Sequence, residues 1–499
     1  MTNLTDAATS RASTHPSSAL TQHEIRIIVL CVLLATLIAA LDQTIVSTAL
    51  PTIGRALGDV QQLTWVVTAY LLAGTVVTPI YGKLSDLYGR RSTLLIAVGV
   101  FVAGSIACAL SQSMLMLIIA RTFQGLGGGG LISLSQTVIG DIISPKERPR
   151  YQAYISGVFV IASLAGPLLG GFIAEHLHWS LIFWINPPIG LLALLPMYSL
   201  LRKLPVDREH HRIDVLGAAL LVVATVALML LLNWGGITYA WTSLPSAGLA
   251  AVFVLFAVLF FVRQHRAPEP LLPVSVLANQ VILTATLAAA LGTGTSVGLM
   301  IFTPIYFETV RALTPSMSGV MLIPLMVGTA IGATIAGRLM ASVTHYKRLP
   351  VVGLAVATAA VAAISTDPQG LPLAAVELLL MLTSAGFGTV LPIATNSVQN
   401  AAPTGQLGTA TGVMVFMRSL AGTVAVAIFG AILFGQMHAS GHLQDIGGDF
   451  TKSGANFPAI FRWIFAAAGL GFVGALLAIL AMRELPLKEH SAIEAAISH

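Results

Sequence analysis

The stretch that decides the fold is Gly82-Lys83-Leu84-Ser85-Asp86-Leu87-Tyr88-Gly89-Arg90-Arg91, a compact run of charged residues between two long apolar segments. Short connections rich in Lys and Arg stay on the cytoplasmic side of a membrane. Asp86 is placed to pair with Arg90 and to face the N-terminus of a neighbouring helix, where negative charge is favoured. The stretch therefore predicts a loop between two membrane spans, with a contact that breaks when parts of the protein rock against each other.

The composition independently indicates a membrane protein. Of 499 residues, only 9% are charged and 56% are hydrophobic, whereas a soluble globular domain carries about 25% charged residues. Cys31 and Cys108 both lie in apolar stretches, so we expect buried thiols and no disulfide. The net charge of +5 follows from the placement of Lys and Arg around a membrane, and it requires no nucleic acid partner.

Apolar stretches of about 18 residues or more predict membrane helices. Fourteen occur in this chain, so we expect an all-α polytopic membrane protein with 14 transmembrane helices. They lie near 26–49, 62–81, 92–111, 114–140, 151–174, 180–201, 214–234, 245–263, 281–307, 316–340, 349–366, 371–394, 406–435 and 459–482.

Charged segments divide these spans into groups of six, two and six. We expect a disordered cytoplasmic tail, a six-helix bundle, two additional helices with their linkers, a second six-helix bundle and a second cytoplasmic tail, at 1–24, 25–204, 205–268, 269–484 and 485–499. An even number of spans places both termini on one side, and about nineteen of the 25 Lys and Arg then share that side. Both termini are therefore expected in the cytoplasm, with the spans in the cytoplasmic membrane.

The second half carries a partial copy of the opening stretch at Gly337-Arg338-Leu339, without the Asp. This copy indicates an internal repeat. Two halves related by an axis along the membrane normal would enclose a central cavity that opens alternately to each side. We expect spans seven and eight to lie outside this core as peripheral packing.

Two charged residues of the first half share a depth in the membrane. Asp42 and Arg121 each lie about eight residues from the outer end of their span, which is about 12 Å at 1.5 Å per residue. Burial disfavours a charged carboxylate and a nearby guanidinium favours it, so protonation of Asp42 can follow the access state of the cavity. The alternative is a structural Asp42 capped by hydroxyls such as that of Thr44.

Two further charges lie in the second half. Glu377 is about 9 Å from the outer end of span twelve, and Arg418 is about twelve residues into span thirteen. Charges inside a membrane are functional candidates because burial is costly. We therefore expect Asp42, Arg121, Glu377 and Arg418 to couple proton movement, with an interfacial carboxylate as the alternative for Glu377.

Three motifs carry a resemblance to a known family. Gly82, Asp86, Gly89, Arg90 and Arg91 fit G-x-L-(A/S)-D-x-x-G-R-(R/K), and Arg121 begins an R-x-x-Q-G-x-G motif. Span five fits G-(x)8-G-P-x-x-G-G at Gly157, Gly166, Pro167, Gly170 and Gly171. In these features the chain resembles the major facilitator superfamily, and in particular its drug:proton antiporter family with fourteen transmembrane spans.

The resemblance implies two six-helix bundles of the major facilitator fold plus two extra central helices. It also implies proton-coupled efflux of lipophilic, cationic drugs by alternating access, because the span-five motif accompanies export in that family. Substrate contacts are expected at Gln43, Trp65, Tyr70 and Gln124, although an interfacial anchor is the alternative for Trp65. We expect a monomer whose partners are a small-molecule substrate, protons and the lipid bilayer, driven by the proton gradient without a cofactor or metal.

Other function classes stay open at this point. A narrow-substrate exporter of an endogenous metabolite, an importer of the same fold, and a non-transporting sensor or lipid-handling protein all fit fourteen spans. An enzyme is not expected, because the sequence has no H-E-x-x-H motif and no G-x-S-x-G in an exposed position. The composition of the outer loop at 436–457 does not decide its role.

Overall fold

The computed structural model describes residues 21–58, 62–203, 213–236, 238–340, 343, 345–403, 405–439 and 456–487. Within these ranges the fold is almost entirely α-helical, with fourteen helices long and apolar enough to cross a membrane. They are α1 Gln22–Leu57, α2 Leu63–Tyr88, α3 Arg90–Ala109, α4 Met114–Ile142, α5 Arg148–His176, α6 Leu181–Leu200, α7 Val215–Trp234, α8 Leu244–Arg266, α9 Gln280–Thr309, α10 Ser316–Leu339, α11 Arg348–Thr366, α12 Leu373–Ala401, α13 Leu407–Gln436 and α14 Phe457–Ala481.

Helix α1 begins inside the segment predicted as a disordered tail. Thr21 caps it: the Glu24 amide donates to Thr21 Oγ1 over 3.3 Å and the Thr21 amide donates to Glu24 Oε2 over 2.9 Å. Such a reciprocal pair satisfies two amides that lack partners within the helix. Most of the predicted tails and of the loop at 436–457 lies outside the described residues.

The stretch Gly82–Arg91, predicted as a loop, is mostly helical. Helix α2 continues through Tyr88, and α3 begins at Arg90. Only Gly89 departs from helical geometry, with φ +83°, a conformation that is open to glycine and costly for other residues. One glycine thus performs the reversal between the two spans.

The two bundles repeat the same helix packing, as the internal repeat predicts. In the first bundle α1 packs on α5, α2 and α3 pack on α4, and α6 packs on α1 and α3. Helices α9 to α14 repeat each of these pairs in the same order, and each bundle has its own apolar core. Between bundles, α2 packs on α13 and α5 packs on α10, which are equivalent pairs under the repeat.

Helices α7 and α8 form a hairpin beside the two bundles. Asp214 Oδ1 accepts a hydrogen bond from the Gly217 amide at the start of α7, and another of 3.0 Å from Arg263 Nε on α8. Near the start of α7 and the end of α8, an apolar cluster joins the hairpin to α2 and α13. It consists of Leu221, Phe260, Leu271, Leu272, Val413, Phe416 and Ile80. The hairpin is therefore anchored to both bundles.

Because successive spans alternate in direction, the described chain begins and ends on the side that carries Gly82–Arg91. We call this side the motif end and the other side the opposite end. The connection between α7 and α8 and the last turn of α13 lie at the opposite end.

Candidate functional site

A cavity of about 850 Å³ lies between the two bundles. The polar lining residues farthest from the opposite end are Thr78 on α2 and Arg418 on α13. It reaches the opposite end at Trp241, in the connection after α7, and at Gly435 on α13. The cavity thus extends from mid-membrane toward one face of the protein only.

The cavity wall is mainly apolar, with scattered hydroxyl and amide groups. Both bundles contribute, and α7 adds Met229, Leu232 and Asn233. The expectation that α7 is peripheral packing is therefore wrong, because this helix lies against α2 and α13 and closes one side of the cavity. The last turn of α7, at the opposite end, is held by aromatic contacts, since the centroid of the Trp234 ring lies 5.7 Å from that of Trp65.

Two of the four predicted substrate contacts, Gln43 and Tyr70, line the cavity. Trp65 does not; its ring packs edge-on against α7 instead. Gln124 is fully buried in the first bundle and also lies outside the lining. Sequence position alone does not reveal such differences, because rotation of a helix about its axis decides which residues reach the cavity.

Asp42 and Arg121, predicted to share a depth, form a buried ion pair. Arg121 Nη1 donates to Asp42 Oδ2 over 2.5 Å, and both side chains are almost fully buried, with exposures of 1% and 0%. Arg121 also donates from Nε to the Val66 carbonyl over 3.1 Å. Burial of such a pair is tolerated only when the remaining hydrogen-bonding positions are also satisfied.

Gln124, expected as a substrate contact, completes this network together with Asn186 and Ser105, two side chains that the sequence analysis did not mark. Gln124 and Asn186 each donate an amide N–H to Asp42 Oδ1, over 2.8 and 3.0 Å. Both amides also donate to the Ser105 hydroxyl, over 2.7 and 3.2 Å. A polar Asn directly before two prolines, at the interruption of α6, is the one sequence signal for Asn186.

Tyr70 separates this network from the cavity. Its ring lines the cavity and also lies 4.2 Å from the Arg121 guanidinium, close enough for a cation–π contact. Gln43, the residue that follows Asp42 in the sequence, also lines the cavity. The buried pair is therefore one side chain away from the cavity, with Tyr70 between them.

The two charges of the second half, Glu377 and Arg418, lie apart. Arg418 lines the cavity and donates from Nε to Thr293 Oγ1 on α9 over 3.2 Å. Glu377 lies half-buried on α12 and outside the lining, and no ion pair links the two in the described part of the chain. Of the two charges expected in the second half, only Arg418 lies at the cavity.

The motif end is closed by a carboxylate that bridges the bundles. Asp86 pairs with Arg90 over 2.6 Å and accepts hydrogen bonds from the Gly408 and Thr409 amides over 2.9 and 2.7 Å. These amides begin α13, so Asp86 faces a neighbouring helix N-terminus as predicted. Arg90 is held in turn by Asp141 on α4, over 2.5 Å.

Further contacts seal the same end. Gln399 of α12 donates to the Gln136 carbonyl over 2.9 Å, and Asn396 donates to the Pro145 carbonyl over 2.8 Å. A Cβ on Gly82 would lie 2.5 Å from the Gly408 carbonyl oxygen, so only glycine permits this approach of the bundles. This conformation is closed at the motif end, and its cavity extends to the opposite end.

The glycine motif of α5 is only partly a packing surface. A Cβ on Gly166 or Gly170 would collide with Thr44, Thr48 or the backbone of Ile45 on α1. Gly157 and Gly171 face open space, and Pro167 is exposed. At 100° per residue, Gly166 and Gly170 lie about 40° apart, whereas Gly157 and Gly171 lie at least about 100° from either of them. The motif therefore does not form a single packing face.

The glycine run of α4, in contrast, is packed on several sides. Gly125 and Gly129 lie against the α2 backbone at Tyr70 and Gly74, and Gly127 lies against α3 at Phe101. Small residues allow helices in a membrane to approach closely. This packing positions Arg121, one turn before the run, and Gln124, directly before it, beside Asp42.

Comparison with known proteins agrees with this architecture. Residues 32–426 match the family model described as Major Facilitator Superfamily. Multidrug resistance protein 3 of Bacillus subtilis strain 168 is 35% identical over 420 residues, covering 82% of this chain and 80% of its own length. The multidrug transporter protein MdtP of the same organism is 33% identical over 407 residues, covering 80% and 74%.

A solved structure shares the fold at low sequence identity. The proton:xylose symporter XylE of the major facilitator superfamily superimposes with a TM-score of 0.64 at 15% identity, covering 96% of this chain and 100% of that one. At this identity the likeness concerns the fold and not the substrate.

Proposed function

The chain belongs to the major facilitator superfamily, and from this premise we propose that it exports amphiphilic organic compounds across the cytoplasmic membrane in exchange for protons. It is a multi-pass membrane transporter and not an enzyme. Two relatives above 30% identity carry the names of a multidrug resistance protein and a multidrug transporter, which supports export of foreign compounds.

The observation that carries the proposal is the position of the Asp42–Arg121 pair beside a large, mainly apolar cavity. A cavity of about 850 Å³ falls within the range of about 300 to 1,000 Å³ that holds drug-sized ligands. Closure at the motif end leaves this state accessible from the opposite end. Alternation between this state and one open at the motif end would move a ligand across the membrane.

The distribution of basic residues supports a cytoplasmic motif end. Lys83, Arg90 and Arg91 lie there, as do Lys146 and Arg348, and basic residues concentrate on the cytoplasmic side. With this orientation both described ends of the chain face the cytoplasm, and the conformation seen here is outward-facing.

In this proposal Asp42 carries the proton. Protonation from the outward cavity would neutralise Asp42 and weaken its pair with Arg121, while the amides of Gln124 and Asn186 remain near its oxygens. Release to the cytoplasm would restore the pair after the bundles rock. Each entering proton supplies about 2.3 kcal/mol per 100 mV and about 1.4 kcal/mol per pH unit, enough to concentrate a neutral solute about a hundredfold, which costs about 2.7 kcal/mol.

The cavity does not favour the cationic substrates that the sequence led us to expect. A lipophilic cation is normally matched by a carboxylate. Asp42 lies behind Tyr70 and is paired with Arg121, and Glu377 lies outside the lining. The proposal therefore extends to amphiphilic compounds in general and does not single out cations.

Efflux from cells tests the proposal. Cells expressing wild type or Asp42→Asn at equal membrane abundance are loaded with cationic ethidium, a neutral dye or an anionic carboxyfluorescein, with and without a protonophore. We expect protonophore-sensitive efflux of at least one dye by wild type, and its loss in the variant. Retention of every dye as in empty cells would overturn polyspecific export and favour a narrow-substrate exporter, whereas energy-dependent uptake would indicate an importer.

A further inference from the structure

Arg418 is the one formally charged side chain among the described residues that line the cavity. It lies on α13, eleven residues after Leu407, which places it about 17 Å from the motif end of that helix. At this depth the guanidinium is too far from either membrane surface to be solvated there. The guanidinium can therefore be solvated only through the cavity that it lines.

The contacts of Arg418 leave most of its donors free. Its Nε donates to Thr293 Oγ1 over 3.2 Å, and within the described part of the chain neither Nη group has a hydrogen-bond acceptor. Arg121 is the opposite case, because its guanidinium is paired with Asp42 and with a backbone carbonyl. One membrane arginine is thus satisfied within its bundle, and the other presents a planar pair of donors to the cavity.

The surroundings of Arg418 fit an acidic group attached to an apolar body. Gly422, one helical turn toward the opposite end, adds no side chain, and a Cβ there would make only ordinary contacts of 3.8 Å or more with Val297. Ser419 and Thr423 add hydroxyl groups to the same wall. The rest of the wall is mainly apolar and includes Met229, Leu232, Phe159, Phe434 and Val426.

We propose that Arg418 binds the acidic headgroup, such as a carboxylate or sulfonate, of an amphiphilic organic anion that this transporter exports. A guanidinium matches a carboxylate with two parallel N–H···O bonds, which a lysine ammonium does not reproduce. The apolar wall formed with α7 contacts the remainder of the molecule. This inference rests on the proposed export function, because it names the substrate class of the same cavity.

Equilibrium binding tests the subsite without requiring transport. The purified protein in lipid nanodiscs is titrated with 1-pyrenebutyrate, with its neutral alcohol 1-pyrenebutanol and with a pyrenebutyl trimethylammonium salt. Energy transfer from tryptophan to pyrene reports binding, because Trp241 lines the cavity, and protein-free nanodiscs supply the background. Wild type is compared with Arg418→Gln, with Arg418→Lys and with Arg55→Gln, an exposed arginine near the end of α1.

We expect wild type and Arg55→Gln to bind the anion more tightly than the alcohol or the cation. Arg418→Gln should weaken anion binding about tenfold or more, as expected for loss of a charge-assisted hydrogen-bonded pair. Alcohol binding should change less than about twofold, which also shows that the variant is folded. Arg418→Lys should recover only part of the anion preference.

Several results would overturn the subsite. The subsite is refuted if wild type binds none of the three probes or binds all three with equal affinity. It is also refuted if Arg418→Gln weakens the binding of all three probes equally. Failure of the export function is distinct from these outcomes. Anion binding that depends on Arg418 without any cellular efflux would retain the subsite and refute export, whereas efflux without anion preference would refute the subsite alone.

Discussion

Replacing Asp86 by Asn should shift the protein toward conformations that are open at the motif end. The Asp86 carboxylate accepts three hydrogen bonds from the second bundle: from the Gly408 amide over 2.9 Å, the Thr409 amide over 2.7 Å and the Thr409 hydroxyl over 2.6 Å. Asparagine keeps one acceptor oxygen and loses the negative charge that the N-terminus of α13 favours. These bonds join the two bundles in the closed conformation, so their loss destabilises that conformation relative to one in which the bundles separate at the motif end.

The size of the shift follows from those contacts. Hydrogen bonds to a charged group contribute about 1.5 to 3 kcal/mol each. Loss of two of the three at the lower value destabilises the closed motif end by about 3 kcal/mol, which changes the ratio of closed to open molecules about 100-fold.

Spin labels on the two bundles measure this ratio. Cysteines at Glu147, between α4 and α5, and at Ala402, after α12, place one label on each bundle at the motif end. The native Cys31 and Cys108 are buried and need no replacement. Pulsed electron double resonance in nanodiscs should show one short distance class in wild type and an added longer class in Asp86→Asn.

A matched variant separates the bridge from general damage. Asp141→Asn removes the other carboxylate paired with Arg90, but this contact lies within the first bundle. It should leave the distance distribution much closer to that of wild type. An unchanged distribution in Asp86→Asn, or an equal shift in both variants, would refute the role of Asp86 as a bridge.

Other predictions concern stability. Gly170→Ala should lower the thermal unfolding temperature in detergent, because the new Cβ would lie 2.6 Å from the Ile45 carbonyl oxygen. Such overpacking costs about 1 to 3 kcal/mol. Gly171→Ala is the control and should leave the unfolding temperature unchanged, because a Cβ at Gly171 has no neighbour within 4 Å. Equal unfolding temperatures for the two would contradict the packing described for α5. Arg121→Gln should destabilise by about 3 to 5 kcal/mol because it leaves Asp42 buried without its partner, and adding Asp42→Asn should recover part of that loss. If the double variant is less stable than Arg121→Gln in the same assay, the two buried charges do not compensate each other.

The parts of this molecule that depend on spacing along one helix could be predicted from the sequence. A similar depth for Asp42 and Arg121 could be predicted from span ends near 49 and 114 and the fixed rise of a helix, although α1 continues to Leu57; that the two side chains face each other did not follow from that spacing. The spans themselves follow from the apolar length that a bilayer requires. In both cases local sequence determines the geometry without knowledge of neighbours.

The parts that depend on rotation and on neighbouring helices could not be predicted. Asn186 completes the Asp42 network from a helix whose facing surface the sequence does not reveal. Gly157 and Gly171 belong to one motif with Gly166 and Gly170, yet they face open space. Helix α7 is as apolar as a lipid-facing span, and only its contacts with α2 and α13 show that it lines the cavity.

The Gly82–Arg91 stretch was misread for a different reason. Its charge density is typical of a loop, but charged side chains at the end of a membrane helix reach the aqueous surface while the backbone remains hydrogen-bonded. The helix therefore continues to Tyr88, and this extension carries Asp86 to the first turn of α13.

Proton movement during substrate transport tests the central claim most directly. Wild type and Asp42→Asn are reconstituted into liposomes that contain the pH dye pyranine, and a dye that wild-type cells export is added outside. Transporters oriented with the motif end outward should carry the substrate into the lumen and protons out, so the lumen of wild-type liposomes should become more alkaline and that of Asp42→Asn liposomes should not. Substrate accumulation without a change in lumenal pH, or equal alkalinisation by Asp42→Asn, would contradict proton exchange through Asp42.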